Sequence, residues 1–460
     1  MNNRKEKFDS SKKNIFITIE FKHREFLSKL LLSSFAIKAG FRVYIGSLNS
    51  IIRLINVKNQ KGGIFFHKGG FDLDGLLKIK KKCDSFVILD EELGTEIKNY
   101  AQVAKRRIWP DTEKYNDRYF VIGQYGYKAS CDIFPKMKNS IRCTGWPRVD
   151  LWRPENESLF KEKTQLISKK YGSYVLFTSD FGYNSQKIIN DRLEVSKNSE
   201  WKSVKTSYLC EKKNSEIIFK EYKKFLEILK KYDKIKDCPL IIVRPHPAED
   251  IDAWFEFSKE LSNIKVIYEG EITPWINASS GVLHRGCTSA IQAHMRGLPI
   301  GYFISEKSFI QDGTPHTISQ HLYTFDDLFQ FCISAINENK NTKSVTHHDE
   351  FKRLIHIEND KFASELIVED LIKLKTTLEP CYQANSKDVM IDILLNIKAV
   401  SKKVINHLLK IEQKIGIASD SRKIPGGINK HEVEDFFFRF DSTQRFKIKK
   451  IFKDCVEIDI

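Results

Sequence analysis

The sequence predicts an α/β protein built from two doubly wound halves, each a parallel sheet covered by helices. One observation is the opening unit, in which residues 14–19 and 41–46 are apolar strands and residues 24–39 have helical spacing. A second is the segment 282–304, whose pattern is strand, tight turn, short helix and strand. A third is a new series of apolar strands that begins at residues 174–178 and indicates the second half.

The length of 460 residues is too great for one compact core. We predict an N-terminal doubly wound domain at 1–155 and a C-terminal one at 156–345. A helical return segment and C-terminal extension, mostly helical, are predicted at 346–460. Residues 186–214 are polar and lack apolar periodicity, which favours an irregular insertion.

The composition narrows the compartment and the class of partner. Nine cysteines are scattered without a CxxC pair or a metal-ligand spacing, which indicates reduced thiols and no metal site. No apolar run approaches the roughly 20 residues that span a bilayer, so a cytoplasmic protein is expected. The net charge of +16 fits anionic substrates or an anionic membrane surface. No nucleic-acid-binding module is legible, so nucleic acid is not an expected partner.

A polar turn in the second half predicts an anion-binding site. Gly286 permits a sharp turn after an apolar strand, and Thr288 and Ser289 stand at the start of the next helix. Free backbone amides, two hydroxyl groups and the positive end of the helix dipole favour a bound phosphate. The alternative is an ordinary α/β turn with a good cap.

A second polar loop in the same half strengthens this interpretation. Arg244, His246 and Pro247 belong to an Arg-Pro-His-Pro sequence at the end of another apolar strand. Because strand carboxyl ends share one edge of a sheet, we expect the two loops to converge on one crevice. His284 and Arg285 precede the first loop and are expected to line this cleft, although His284 could equally be a satisfied core histidine.

Polar residues also follow strands in the first half. Asp90, Glu91 and Glu92 come directly after an apolar strand, and their mutual repulsion should raise the pKa of at least one, which suits a general base. A solvated acidic turn is the alternative. Arg148 ends a proline-stiffened turn after another strand. Arg24 and Glu25 stand at the N-terminus of the first helix, on the side of the sheet where ligands bind. The alternative is that both are solvated first-turn residues. For Glu25, a favourable interaction with the helix dipole alone could explain the position.

The sequence lacks GxGxxG, GxxxxGK[ST] and GxSxG, which argues against dinucleotide, P-loop and hydrolase chemistry. Several segments taken in order, among them ILDEELG, TGWPRVDLW, VRPHPAED and TPWINASSGVLHRGCTSAIQAHMRGLPIGYF, resemble bacterial surface carbohydrate biosynthesis proteins. The resemblance covers residues 14–375 and not the tail. It implies a GT-B glycosyltransferase with two Rossmann-like domains that face a central cleft, similar to transferases of CMP-activated Kdo or sialic-type sugars.

The resemblance also implies roles for these residues. The acidic motif of the family would be Asp90-Glu91-Glu92. This sequence departs from the motif because Leu93 stands before the glycine, so which of the three carboxylates is catalytic stays undecided. The His-Pro pair would be His246-Pro247, and the paired hydroxyl motif Thr288-Ser289. His246 beside Arg244 would donate to the leaving phosphate, and an acid of 90–92 would deprotonate the acceptor hydroxyl or act as nucleophile.

The function implied is transfer of an acidic 3-deoxy-ulosonic sugar from a CMP donor to a capsule or lipopolysaccharide glycan, free or lipid-linked, without a metal or other cofactor. Two alternatives remain: a transferase that uses a UDP- or GDP-hexose or CDP-glycerol, and a non-catalytic glycan- or lipid-binding assembly factor.

The tail, at residues 436–454, alternates aromatic and basic residues. This pattern predicts either docking to anionic lipid at the inner face of the cell membrane or packing back onto the N-terminal domain.

Overall fold

A computed structural model describes residues 11–57, 62–91, 100–109, 111–198, 205–304, 313–337, 349–379 and 423–460. The strands are β1 Lys12–Ile19, β2 Phe41–Ser47, β3 Ile64–His67, β4 Ser85–Leu89, β5 Arg118–Val121, β6 Ile141–Cys143, β7 Tyr174–Thr178, β8 Leu240–Arg244, β9 Ile264–Val266, β10 Gly281–His284, β11 Ile300–Phe303, β12 Gln320–Leu322, β13 Leu378–Glu379, β14 Lys447–Phe452 and β15 Cys455–Asp459.

The helices are α1 Lys22–Lys38, α2 Leu48–Val57, α3 Leu73–Lys80, α4 Tyr100–Arg107, α5 Gln124–Ile133, α6 Pro147–Trp152, α7 Lys161–Tyr171, α8 Gln186–Asn198, α9 Lys205–Asp233, α10 Ile251–Ser258, α11 Thr273–Ala278, α12 Ser289–Met295, α13 Thr314–Thr317, α14 Phe325–Asn337, α15 Asp349–Leu354, α16 Ala363–Leu371 and α17 Lys430–Phe440. No helix within the described ranges is both long and apolar enough to cross a membrane.

The chain divides into two compact units. The first contains residues 1–94, 99–151 and 355–460, and the second contains 152–354 with the short piece 95–98. The sequence analysis placed the boundaries at 155/156 and 345/346 and treated the end of the chain as a third segment. In the structure residues 355–460 belong to the first unit, and residues up to 354 belong to the second.

The first sheet has the order β14-β15-β2-β1-β3-β4-β5-β6, with β13 paired to β1. From β2 to β6 the strands are parallel. Strand β1 begins with Lys-Lys-Asn and then turns apolar, and Ile15, Phe16 and Ile17 are fully buried, as expected for a strand with helices on both faces. The strand order reverses between β1 and β3, and in doubly wound folds ligands bind outside the carboxyl ends at such a crossover.

The second sheet has six strands, all parallel, in the order β12-β11-β10-β7-β8-β9. Its order reverses between β7 and β10. Apolar residues fill both faces: Phe225 and Trp254 pack on one, and Trp275 and Ile276 on the other. The predicted α/β fold with two Rossmann-like units is therefore confirmed.

One local prediction was wrong, and a second differs from the structure in the part of the tail that is described. Residues 186–214 were expected to be irregular, but α8 and the beginning of α9 lie there, with 199–204 outside the described residues. The tail was expected to be mostly helical, but its described part is α17 followed by the hairpin β14–β15, and β15 pairs antiparallel with β2. Three aromatic residues of the tail are buried: Phe436, Phe437 and Phe452. Their burial agrees with the second alternative for this segment, in which the tail packs back onto the N-terminal domain.

Candidate functional site

Three strands bring the predicted residues of the second unit to one edge of its sheet. Strand β7 lies between β8 and β10, and Thr178 at its end pairs in register with Arg244 and with His284. The loops that contain His246 and Ser289 follow β8 and β10. Since neighbouring strands are about 4.8 Å apart, the two loops begin about 10 Å apart on either side of the crossover.

His246 presents one ring nitrogen outward. Its ring is half-buried, and Nδ1 accepts a hydrogen bond from the backbone N–H of Ala248 at 3.2 Å. This bond requires a lone pair on Nδ1, so we infer that the neutral ring carries its proton on Nε2. Nε2 makes no hydrogen bond to any residue that the structure describes. His246 therefore offers an N–H donor at the carboxyl edge, next to the exposed Pro247.

The turn after β10 has the predicted form. Gly286 has a φ of +97°, a left-handed conformation that glycine adopts without strain, and its N–H donates to His284 Nδ1 at 3.0 Å. The Ser289 hydroxyl lies 2.7 Å from that of Thr178, which fixes the start of α12 to β7. The N–H groups of Thr288 and Ser289 have no acceptor among the described residues. The anion donors here are therefore the two amides, because the Ser289 side chain is buried and engaged.

Arg244 does not point into the predicted anion site. Its guanidinium is buried, donates to the backbone oxygens of Glu269 and Gly270 at 2.6 and 3.0 Å, and lies 5.2 Å from the centre of the Trp275 ring. Burial lowers its pKa, while the charges around it, that of Glu271 first, act the other way. Arg244 fastens the loop after β9, which corrects the prediction that it binds phosphate.

His284 and Arg285 are core residues rather than residues that line a cleft. His284 is fully buried, and because Nδ1 accepts from Gly286, its Nε2 donates to the Ser319 hydroxyl at 2.8 Å. Burial lowers its pKa to about 3, so the ring is neutral. Arg285 is buried in an ion pair with Glu221, and its guanidinium lies 5.0 Å from the Phe181 ring centre. The satisfied core histidine was the alternative stated for His284.

Glu249 was missed, although it stands inside the quoted VRPHPAED segment. Its buried carboxylate accepts from the Ser179 hydroxyl and Trp254 Nε1 at 2.6 and 2.7 Å. It also accepts from the N–H groups of Phe181 and Gly182 at 2.6 and 3.3 Å. Four donors to one carboxylate hold the loop after β7 against the loop after β8, so Glu249 shapes the site. The sequence signal that could have identified Glu249 is an acidic residue two positions after the His-Pro pair.

In the first unit, Asp90 is buried at the end of β4. Its Oδ2 accepts from Arg107 Nε at 3.2 Å and from the Tyr119 hydroxyl at 3.1 Å. An aspartate held by a cation and a phenol is a structural anchor, and this geometry does not favour Asp90 as a base. Glu92 lies outside the described residues, so the structure gives it no place.

Glu91 forms a buried ion pair that the sequence did not reveal. Lys29 Nζ donates to its Oε2 at 2.9 Å, and the Trp146 indole donates to Oε1 at 3.2 Å. Burial raises the pKa of Glu91, but the Lys29 charge and hydrogen bond, with smaller contributions from Lys68 and Arg148, outweigh it and the net pKa is lowered. A carboxylate with both oxygens bound and a lowered pKa is a weak base.

Glu25 has the opposite electrostatics. It is buried at the start of α1, where its Oε1 accepts from the N–H groups of Glu20 and Phe21 at 2.9 and 2.8 Å. Its Oε2 has no hydrogen-bond partner among the described residues. Burial, reinforced by the Glu91 charge, raises its pKa. A raised pKa is therefore found at Glu25, whereas the pKa of Glu91 in the 90–92 loop is lowered and Glu92 lies outside the described residues.

Two predicted cations lie at the same edge. The Arg148 guanidinium lies 4.8 Å from the centre of the Trp146 ring, and its charge helps to lower the pKa of Glu91. Gly145 makes the turn that precedes Trp146 and Arg148. It has a φ of +87°, and a Cβ at this position would lie 2.5 Å from the backbone oxygen of His356. Arg24 is half-buried in the first turn of α1.

Within the described ranges, no group of three or more His, Cys, Asp or Glu side chains is arranged to hold a metal ion. Independence from metals stays a prediction.

Neither a protein-family model nor a curated protein sequence matches the chain. Solved structures that resemble it include UDP-GlcNAc 2-epimerase from Methanocaldococcus jannaschii in complex with UDP-GlcNAc and UDP, at 14% identity and a TM-score of 0.44, over 78% of this chain and 99% of that one. A second is the wall teichoic acid polymerase TagF, at 12% identity and 0.43, over 79% and 88%. A third is S. aureus MnaA with UDP, at 12% and 0.45, over 77% and 95%.

Because these TM-scores are low, we assign the fold from the two strand orders and the site from its own geometry.

Proposed function

We propose that the chain is a glycosyltransferase that takes its sugar from a nucleotide-activated donor and serves the synthesis of a bacterial surface glycan. The observation that carries this proposal is the second sheet, where an outward N–H donor and two amides that have no acceptor among the described residues flank the crossover strand. His246 supplies the first, and Thr288 and Ser289 supply the amides. Doubly wound sheets bind nucleotides outside such crossovers.

The chemistry required of this edge is neutralisation of a leaving phosphate. Negative charge grows on the phosphate as the glycosidic bond breaks, and hydrogen-bond donors fixed in advance lower the barrier. His246 Nε2–H and the amides of Thr288 and Ser289 are such donors. In this proposal Glu249 does not stabilise the phosphate; its role is to hold the two loops in place.

In the first unit we assign proton transfer to Glu25 rather than to Asp90 or Glu91. A carboxylate that accepts a proton from an acceptor hydroxyl works best when its pKa is raised toward the working pH. Glu25 has the raised pKa and an oxygen without a hydrogen-bond partner among the residues that the structure describes, whereas Glu91 is neutralised by Lys29.

For the donor we propose a CMP-activated acidic sugar, on the resemblance of the ordered sequence segments. UDP- or GDP-hexoses and CDP-glycerol are the competing donors, and a non-catalytic binding factor is the competing class. The acceptor would be a glycan, free or linked to lipid.

The test is a nucleotide panel read as the shift in melting temperature. A ligand that binds only the folded state stabilises it by about 2.7 kcal/mol at 100 times its dissociation constant. We expect CMP to raise the melting temperature. A response to UDP, GDP or CDP-glycerol without one to CMP would replace the donor, and a response to none of them would favour the non-catalytic factor.

His246→Ala should lower turnover about 10²–10³-fold and leave the melting temperature unchanged, because one donor to the developing charge is lost. The matched control is His431→Ala, since His431 is exposed on α17 in the first unit. Turnover of His246→Ala within a few-fold of the parent would make His246 a structural residue.

A further inference from the structure

An inserted helix brings an arginine to the loop that follows β7 and to the loop that follows β8. Helix α8 lies between these strands in the chain, and Arg192 is half-buried on it. The Arg192 guanidinium carbon lies 4.6 Å from the centre of the Tyr183 ring, and Nη2 donates to the backbone oxygen of Ala248 at 3.4 Å. A Cβ on Gly182 would lie 3.7 Å from Nη1, so the guanidinium also covers the backbone of the loop after β7.

Arg192 and His246 are held by the same residue. Ala248 donates its N–H to His246 Nδ1 and accepts from Arg192 through its C=O. These two bonds and the span of one residue place the imidazole and guanidinium nitrogens within about 10 Å of each other. One small ligand could therefore contact both side chains.

In the part of the chain that the structure describes, Arg192 has no carboxylate within ion-pair distance, although Glu211 and Arg192 both act on Tyr183. Glu211 accepts from the Tyr183 hydroxyl, and Glu249 is occupied by its four donors. Arg192 therefore keeps guanidinium N–H donors that an incoming oxyanion can use. Contact with Tyr183 restrains the guanidinium, which reduces the entropy lost when its fork binds an oxyanion.

We propose that Arg192 binds an anionic oxygen group of the donor beside His246, either the phosphate or the carboxylate of an acidic sugar. This inference rests on the proposed function and adds a specificity role for the α8 insertion. The planar fork of a guanidinium matches both groups bidentately.

The experiment measures dissociation constants by calorimetry for CMP, CMP-N-acetylneuraminate and inorganic pyrophosphate. The proteins are the parent, Arg192→Met, Arg192→Lys and the control Lys187→Met, since Lys187 is an exposed cation on the same helix. Arg192→Met removes a charge-assisted contact and should weaken binding about 10–100-fold. Arg192→Lys keeps the charge but not the fork, so it should fall between parent and Met.

The arms separate the two sources of the anion. Weaker CMP and pyrophosphate binding assigns Arg192 to the phosphate, and weaker CMP-N-acetylneuraminate binding with unchanged CMP assigns it to the sugar carboxylate. Constants within two-fold of the parent for all three ligands, in a parent that binds nucleotide, overturn this inference alone. A parent that binds pyrophosphate but no nucleotide in the panel overturns the proposed function, and Arg192→Met still tests anion binding there. A parent that binds none of the three overturns both.

Discussion

Glu25→Gln should lower turnover by about 10²–10⁴-fold while removing the loss of stability that the parent should show as the pH rises through the raised pKa of Glu25. General-base catalysis contributes a factor of this size, and glutamine cannot accept the proton. The amide keeps an oxygen for the N–H groups of Glu20 and Phe21. It removes the buried charge that Glu25 would carry beside Glu91.

The sign of the pH dependence follows from the raised pKa. The stability that Glu25 contributes is fully present below its usual pKa of 4.5 and is lost as the pH rises through the raised value in the folded state. The variant should lack this loss, so the free energies of unfolding of parent and variant should diverge as the pH rises. Urea unfolding at several pH values, with kcat/KM at the same values, measures both effects.

Two further substitutions serve as controls for Glu25→Gln. Glu365→Gln changes another first-turn glutamate, on α16, and should alter neither quantity. Glu91→Gln leaves Lys29 buried without its partner and should destabilise the fold by about 3–5 kcal/mol. Turnover of Glu25→Gln within a few-fold of the parent would remove Glu25 from the chemistry.

Ile458→Asp should destabilise the first unit by more than about 4 kcal/mol. Ile458 is fully buried on β15, where it pairs with Val43 of β2, and aspartate would put an unpaired charge into the sheet. Phe438→Asp is the control, because Phe438 is 71% exposed and its change should cost less than about 0.5 kcal/mol. The midpoint of urea unfolding compares the two variants.

The same packing bears on the membrane hypothesis. Ile448 and Phe452 of β14 are buried, so they are not available to enter a headgroup layer. Lys447 and Lys449 are exposed on β14, the outer strand at this end of the described sheet, where lysines discourage pairing with other chains. We expect the full chain to remain in the supernatant with anionic liposomes. An Ile458→Asp protein with an unchanged midpoint, or salt-sensitive co-sedimentation of the parent, would contradict this assignment of the tail.

The sequence was sufficient for elements whose pattern is local. The strand at 174–178 was predicted with the bounds that the structure has, because it is a short apolar run between turn residues. The tight turn at Gly286 was likewise predicted, and the structure gives Gly286 a φ of +97°.

Contacts between distant residues were not predictable. Lys29 and Glu91 are 62 positions apart, and nothing local in either segment indicates the pair. For the same reason Arg244 was read as a phosphate ligand, whereas its guanidinium is consumed by backbone oxygens of residues 269 and 270. The position of Glu25 was visible but its raised pKa was not, since that shift comes from burial and from Glu91.

The hairpin at the end of the chain did carry a signal. In β14 the buried Ile448 lies between the exposed Lys447 and Lys449, which is the period of two that predicts a half-buried strand. The aromatic residues of α17, directly before it, suggested helical spacing for the whole tail.

The central claim is that the donor nucleotide binds at the carboxyl edge of the second sheet, and a crystal structure of the protein with CMP tests it most directly. We predict the phosphate within 3.2 Å of His246 Nε2 or of the Thr288 and Ser289 amide nitrogens, the range of an N–H···O hydrogen bond. Density for the nucleotide at the carboxyl ends of β1 and β3 in the first unit, with the edge at His246 empty, would contradict the claim.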